Sequence, residues 1–191
     1  MSDIRRIYVE KKAGFDVEAS HMLADLRESL GVDGLERVRI FQRYDISGMS
    51  DEEYAQARGL VFSEPTMDDC WDDEMPEVNG RAFAVEYLPG QYDQRADSAA
   101  QCVQLLTQKD MPTIATARVI VLEGEVDDSQ FEAVKKYLIN PVESREARLD
   151  KPETLDAGTV VPSDVKVLDG FTSMDESGLE HMLKDMGLAM D

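Results

Sequence analysis

The chain has 191 residues, 42% hydrophobic and 31% charged, which is the composition of a folded globular protein with one main core and room for a small appendage. Forty acidic residues against twenty basic ones give a formal charge of -20, which repels nucleic-acid backbones and anionic membranes, so neither is expected as a partner. No window nears the ~18 consecutive apolar residues of a membrane span, and the first thirty residues lack a basic start followed by an apolar core, so the expected location is cytoplasmic.

Residues 5–11 (RRIYVEK) have strand composition. After Gly14, Ala19, Met22, Leu23, Leu26 and Leu30 recur on one helical face, with Asp16 placed to cap its start and Gly31 to end it. A second strand runs through Val38 and Ile40 to Ile46. Ser50 and Glu53 then form a capping box, opening a helix with Tyr54, Ala57 and Val61 along one face.

The second half repeats this order: a strand at 81–88, a turn at Pro89-Gly90, a helix opened by Asp93, a strand at 117–122 and another helix. Adding 77 to Ala19, Met22, Leu23 and Leu26 gives Ala96, Ala99, Ala100 and Val103, and adding 77 to Tyr54, Ala57 and Val61 gives Phe131, Val134 and Leu138. The caps recur too, Asp16 as Asp93, Ser50 as Asp127 and Glu53 as Gln130. Agreement of period and caps together predicts an internal duplication. The expected fold is α+β, two strand-helix-strand-helix halves with their helices packed on one face of a mostly antiparallel sheet. Either half alone is marginal, and the two together form a pseudo-symmetric unit.

The acidic connection at 64–80 does not follow the order of a calcium loop and reads as a surface loop anchored by Trp71 and Met75. Three regions are expected: a duplicated domain at 1–148, a connector at 149–172 with an extended piece near Val165 to Leu168, and the start of a further domain at 173–191. That last region holds a helix with Ser173 and Glu176 as its capping box and Leu179, Met182, Leu183 and Met186 on its apolar face.

Chemistry is sparse. His21 and His181 have no nucleophile or metal-ligand spacing beside them, Cys70 and Cys102 stand alone, and no glycine-rich phosphate loop occurs, so no catalytic, metal or cofactor residue is expected in this chain. The most distinctive stretch is LPGQYDQRADSAAQC at 88–102. Gly90 and Asp93 suit a turn and a cap, while Gln91, Tyr92, Gln94 and Arg95 are residue types that anchor interfaces and form a candidate docking corner.

The segments IYVEKKAGFDVEA (7–19), VRIFQRYDI (38–46), VFSEPTMD (61–68), FAVEYLPGQYDQRADSAAQC (83–102), YLINPVESREA (137–147) and GLAM (187–190) resemble the start of the phosphoribosylformylglycinamidine synthases, in the long single-chain clostridial-type form. The resemblance implies an N-terminal domain similar to a dimer of the small PurS subunit, followed by the start of a linker domain. It also implies a parent that is an ATP-dependent carbon-nitrogen ligase of de novo purine biosynthesis. The parent hydrolyses glutamine in a glutaminase domain and passes ammonia to a synthetase domain that uses ATP and magnesium. On that resemblance the nucleophile and cofactor ligands lie beyond Asp191, the chain's partners are the synthetase and glutaminase domains, and its role is structural and coupling. The competing expectation is a freestanding small-molecule-binding regulatory domain.

Overall fold

The computed structural model describes residues 4–155, 167–168 and 170–185, and the chain divides into two compact units, residues 1–157 and 158–191. In the first unit β1 (Arg5–Lys11), α1 (Val17–Leu30), β2 (Leu35–Ser47), α2 (Asp51–Ala57) and β3 (Asp68–Asp72) are followed by β4 (Gly80–Tyr87), α3 (Gln94–Thr107), β5 (Thr113–Gly124), α4 (Asp128–Leu138) and β6 (Ser144–Ala147). Six strands form one sheet in the order β3-β1-β2-β5-β4-β6, every pair antiparallel. The fold is α+β as expected, with one addition: each half ends in a third strand. The stretch read as a surface loop contains β3, and β6 closes the second half at the other edge.

The ladders define the duplication. Val9 pairs with Gln42 and Cys70, and Val85 pairs with Arg118 and Glu146, so 9, 42 and 70 recur at 85, 118 and 146, a shift of 76. Gln42 and Arg118 are partners of each other on the central β2–β5 ladder, which puts the pseudo-two-fold axis through that pair. The helices keep the shift of 77: Ala19 and Ala96, Leu26 and Val103, Tyr54 and Phe131, and Ala57 and Val134 are all buried. The extra residue sits in the corner between strand and helix, where four residues separate Lys11 from Asp16 and five separate Tyr87 from Asp93.

All four helices of this unit cover one face of the sheet. Strand alternation sends Val38, Ile40, Tyr44 and Ile46 of β2 and Ile120 and Leu122 of β5 toward them. Leu26 of α1 and Val134 of α4 close on one cluster, where Phe83 meets Phe131 edge to face at 5.6 Å, and Val103 of α3 and Ala57 of α2 close on the other. Burial of a side chain such as Leu26 contributes about 1.5–3 kcal/mol.

The opposite face is also covered. Tyr8, Phe41, Val119 and Val121 are buried there beneath Trp71, Met75 and Val78, with Trp71 edge-on to Phe41 at 5.8 Å. Trp71 and Met75 are thus anchors, as read from sequence, although Trp71 is a strand residue. Beyond this apolar centre the same face carries buried charge. Arg39 forks onto Glu10 at 2.8 and 2.6 Å, and Arg6 forks onto Asp45. Arg6 also donates to the carbonyls of Leu149 and Asp150, and Arg43 donates to that of Arg148. These bonds tie residues 148–150 to the sheet, so the first compact unit extends past the expected boundary at 148.

The helix caps differ in two places from the sequence reading. Ser50 and Glu53, and Asp127 and Gln130, form reciprocal capping boxes, and Asp93 accepts from the Ala96 amide. Asp16, by contrast, accepts from Gly14 and leaves the start of α1 without a side-chain cap. After α2 the chain widens into a π-helical turn, Arg58–Phe62, so Val61 lies outside the regular helix while its counterpart Leu138 ends α4.

In the second unit α5 (Glu176–Asp185) follows a 3-10 turn at Phe171–Ser173. Asp175 accepts from the Gly178 amide and starts this helix; Ser173 instead donates to Gly170 within the turn, so the expected box of Ser173 and Glu176 does not form. Met186, residues 187–190 and Val165 lie outside the described residues. Among the described residues no helix is long and apolar enough to cross a membrane.

Candidate docking corner and the polar centre of the sheet

The corner between β4 and α3 is built from its backbone. The Gln91 amide donates to the Leu88 carbonyl across Pro89-Gly90, and Gly90 has φ +91, which fits a type II turn with proline second and glycine third. The β4–β5 ladder ends at Val85 and Arg118, leaving the amide of Thr116 without a strand partner on that side. Asp93 fills the gap: one carboxylate oxygen accepts from Ala96 at 2.9 Å, and the other from the amide and hydroxyl of Thr116 at 3.2 and 2.7 Å. One side chain therefore caps α3 and pins the corner to the sheet. In the first half the position of Thr116 is Ile40, which has no hydroxyl to offer, and Asp16 stays in its own turn.

On this base the four candidate residues divide. Gln91 and Gln94 are exposed, and Tyr92 is 68% exposed with its hydroxyl donating to Asp97 at 2.6 Å. That bond raises the Tyr92 pKa, because ionisation would set a phenolate against a carboxylate. Asp97 also accepts from Gln101, so Tyr92 is held along the outer side of α3. Arg95 turns the other way and donates to the Tyr44 hydroxyl at 3.3 Å over the sheet.

Arg95 thereby enters a polar centre that sequence reasoning missed. Gln42 and Arg118 face the helices at the pseudo-axis, where apolar residues would be expected, and Arg118 donates to Glu18 in the first turn of α1. Cavities of about 170 and 320 Å³ flank the axis, and Glu18, Gln42 and Arg95 line both. The signal was present, since Gln42 breaks the alternating apolar face of VRIFQRYDI and Arg118 that of ARVIVL.

This arrangement offers charged and polar groups of both signs to a ligand. The guanidinium groups of Arg95 and Arg118, the amide of Gln42 and the carboxylate of Glu18 converge there. His21 and His181 are exposed, Cys70 is half-buried on β3 and Cys102 is exposed on α3, both as free thiols. No group of three or more metal-ligating side chains occurs among the described residues. The chain matches no protein-family model and no curated protein.

Proposed function

We propose that the chain is the N-terminal structural and coupling domain of a phosphoribosylformylglycinamidine synthase, acting in the cytoplasm. The parent converts formylglycinamide ribonucleotide, glutamine and ATP to the amidine. The observation that carries the reading is the duplication, two βαβαβ halves fused into one sheet about an axis through Gln42 and Arg118, together with the six segments that resemble the family. A fused pair of PurS-like subunits has this organisation on the resemblance. Glutamine hydrolysis, ATP and magnesium then belong to other domains of the parent, and this chain docks on them through the rigid corner at 88–95.

Reconstitution tests the proposal. Purified chain added to a parent enzyme lacking residues 1–191 should restore glutamine-dependent amidine formation, while the chain alone should hydrolyse neither glutamine nor ATP. Failure to restore activity, or hydrolysis that survives replacement of Cys70 and Cys102 by Ala, would refute it. The paired cavities beside Gln42 and Arg118 favour one second reading, a ligand-binding regulatory domain. Saturable binding of a small molecule, lost in Arg118→Ala, would select that alternative.

A further inference from the structure

Where α3 packs against the π-helical turn at Arg58–Phe62, an open groove of about 420 Å³ follows the seam. Tyr44, Val61 and Ala99 form its floor, and Tyr87, Arg95 and Cys102 stand at its exposed rim. The fold does not require this opening. The duplication carries the seam onto the pair α1 and α4, with Met22 in place of Ala99, Asp25 of Cys102, Tyr137 of Leu60 and Leu138 of Val61. There Met22 and Leu138 pack on the apolar cluster, and the Tyr137 hydroxyl donates to Asp25 and bridges the two helices. In the open seam Leu60 is 73% exposed and has no hydroxyl with which to make that bridge.

Charge also sets this groove apart. Glu18 stands in both axial cavities, whereas no Asp or Glu lines this groove, in a chain of net charge -20. Arg95 is exposed and forms no ion pair among the described residues; Glu18, which shares the axial cavities with it, is engaged by Arg118. The one hydrogen bond of the Arg95 side chain among the described residues runs from Nη1 to the hydroxyl of buried Tyr44, which places the guanidinium over the floor and leaves Nε and Nη2 without a protein acceptor.

We propose that this groove receives a protein segment from the remainder of the parent enzyme, one whose carboxylate side chain forks onto Arg95 while a neighbouring apolar side chain covers Val61 and Ala99. The inference rests on the domain reading above and adds the chemistry of the contact. A carboxylate matches the free planar edge of a guanidinium, and a tyrosine and an arginine over an apolar floor are the residue types that anchor interfaces. Because its rim is exposed, the groove suits a chain segment laid along it better than an enclosed small molecule.

Cys102 supplies the probe, since it is a free, exposed thiol at the rim. The rate of its alkylation by iodoacetamide, read by peptide mass spectrometry, is measured in the full-length parent and in the isolated chain. The expected result is a rate several-fold lower in the parent. Arg95→Gln should remove most of that protection and Arg95→Lys, which keeps the charge, should retain more of it. Each variant is compared in parent and isolated chain, so that any change in the thiol itself cancels. A parent that makes the amidine from glutamine and ATP, yet leaves Cys102 as reactive as in the isolated chain, overturns this inference and leaves the domain reading standing. Protection unchanged in Arg95→Gln overturns it too, as does protection in the isolated chain that grows with its concentration, which would make the occupant a second copy. A parent without that activity removes the domain reading, and this inference with it.

Discussion

Arg118 in the middle of β5 donates to Glu18 in the first turn of α1, 100 residues away, while Gln42 and Arg95, which hold the equivalent positions, form no such pair; Arg95 reaches Tyr44 instead. Duplication has placed two chemically different contacts at one pseudo-symmetric site. The axis is a place where each half meets the other half's helix, so divergence there distinguishes one end of the unit from the other without disturbing the apolar clusters on either side.

The Arg118–Glu18 pair should add little stability. Its side chains are 41% and 61% exposed, so water screens the attraction. A double-mutant cycle of Arg118→Met and Glu18→Gln, followed by urea unfolding, should give a coupling below ~1 kcal/mol. A larger coupling would mean that the pair is held in a drier setting than its exposure indicates.

Acid should loosen the start of α2 through Glu53. The Ser50 backbone amide, followed by the Lys109 ammonium, lowers the Glu53 pKa from 4.5 to about 2. A carboxylate whose pKa is depressed by folding contributes stability that is present above its unfolded value and is lost as pH falls toward the folded one. The loss should therefore run from about pH 4.5 down to about 2. Glu53→Gln should keep a capping box, as Gln130 does at the matching position of α4, and should remove this part of the pH dependence. A carboxyl NMR titration of Glu53 checks the first statement, and acid unfolding of the variant checks the second.

The repeated helices and most of their caps were legible because helical period and capping residues are local signals, as Tyr54, Ala57, Phe131 and Val134 show. The edge strands were not. DDCWD carries three aspartates and SREA has four residues, and each is chosen by pairing with a distant strand rather than by its own composition. Nor does the composition of β1 and β2 show that the charged Arg6, Arg43 and Asp45 are buried, which depends on residues 148–150 returning to accept hydrogen bonds from the two arginines. Of the candidate site, the turn and the Asp93 cap could be read. The inward course of Arg95 could not, since it depends on Tyr44, 51 residues away.

Two substitutions test the shared architecture. Leu26 is fully buried on α1, and Leu26→Ala should cost about 2–5 kcal/mol in urea unfolding. Gly124 ends β5 with φ +119, and a Cβ there would lie 2.4 Å from the Gly34 carbonyl and 2.7 Å from the Glu36 amide. Gly124→Ala should therefore cost ~1–3 kcal/mol through backbone strain at the junction of the halves. Wild-type stability in either variant would contradict the close packing described for that position.

The corner at 90–95 should matter for coupling and little for folding. Tyr92 is largely exposed, its bond to Asp97 lies at the surface, and Arg95 is exposed with a single long bond to Tyr44, so replacing both by Ala should change stability by about 0.5 kcal/mol or less. Asp93 is different. It holds Ala96 and Thr116 together, and Asp93→Ala should cost ~0.5–2 kcal/mol. A rigid base leaves Tyr92 and Arg95 little entropy to lose on docking. In the proposed parent enzyme the Tyr92→Ala, Arg95→Ala pair should therefore lower glutamine-dependent synthesis more than synthesis driven by added ammonia, because a displaced domain interrupts ammonia delivery before it disturbs the synthetase site. Measuring both activities on the same preparation separates the outcomes. Equal loss of the two, or a large loss of stability in this chain, would reduce the corner to a turn and a cap.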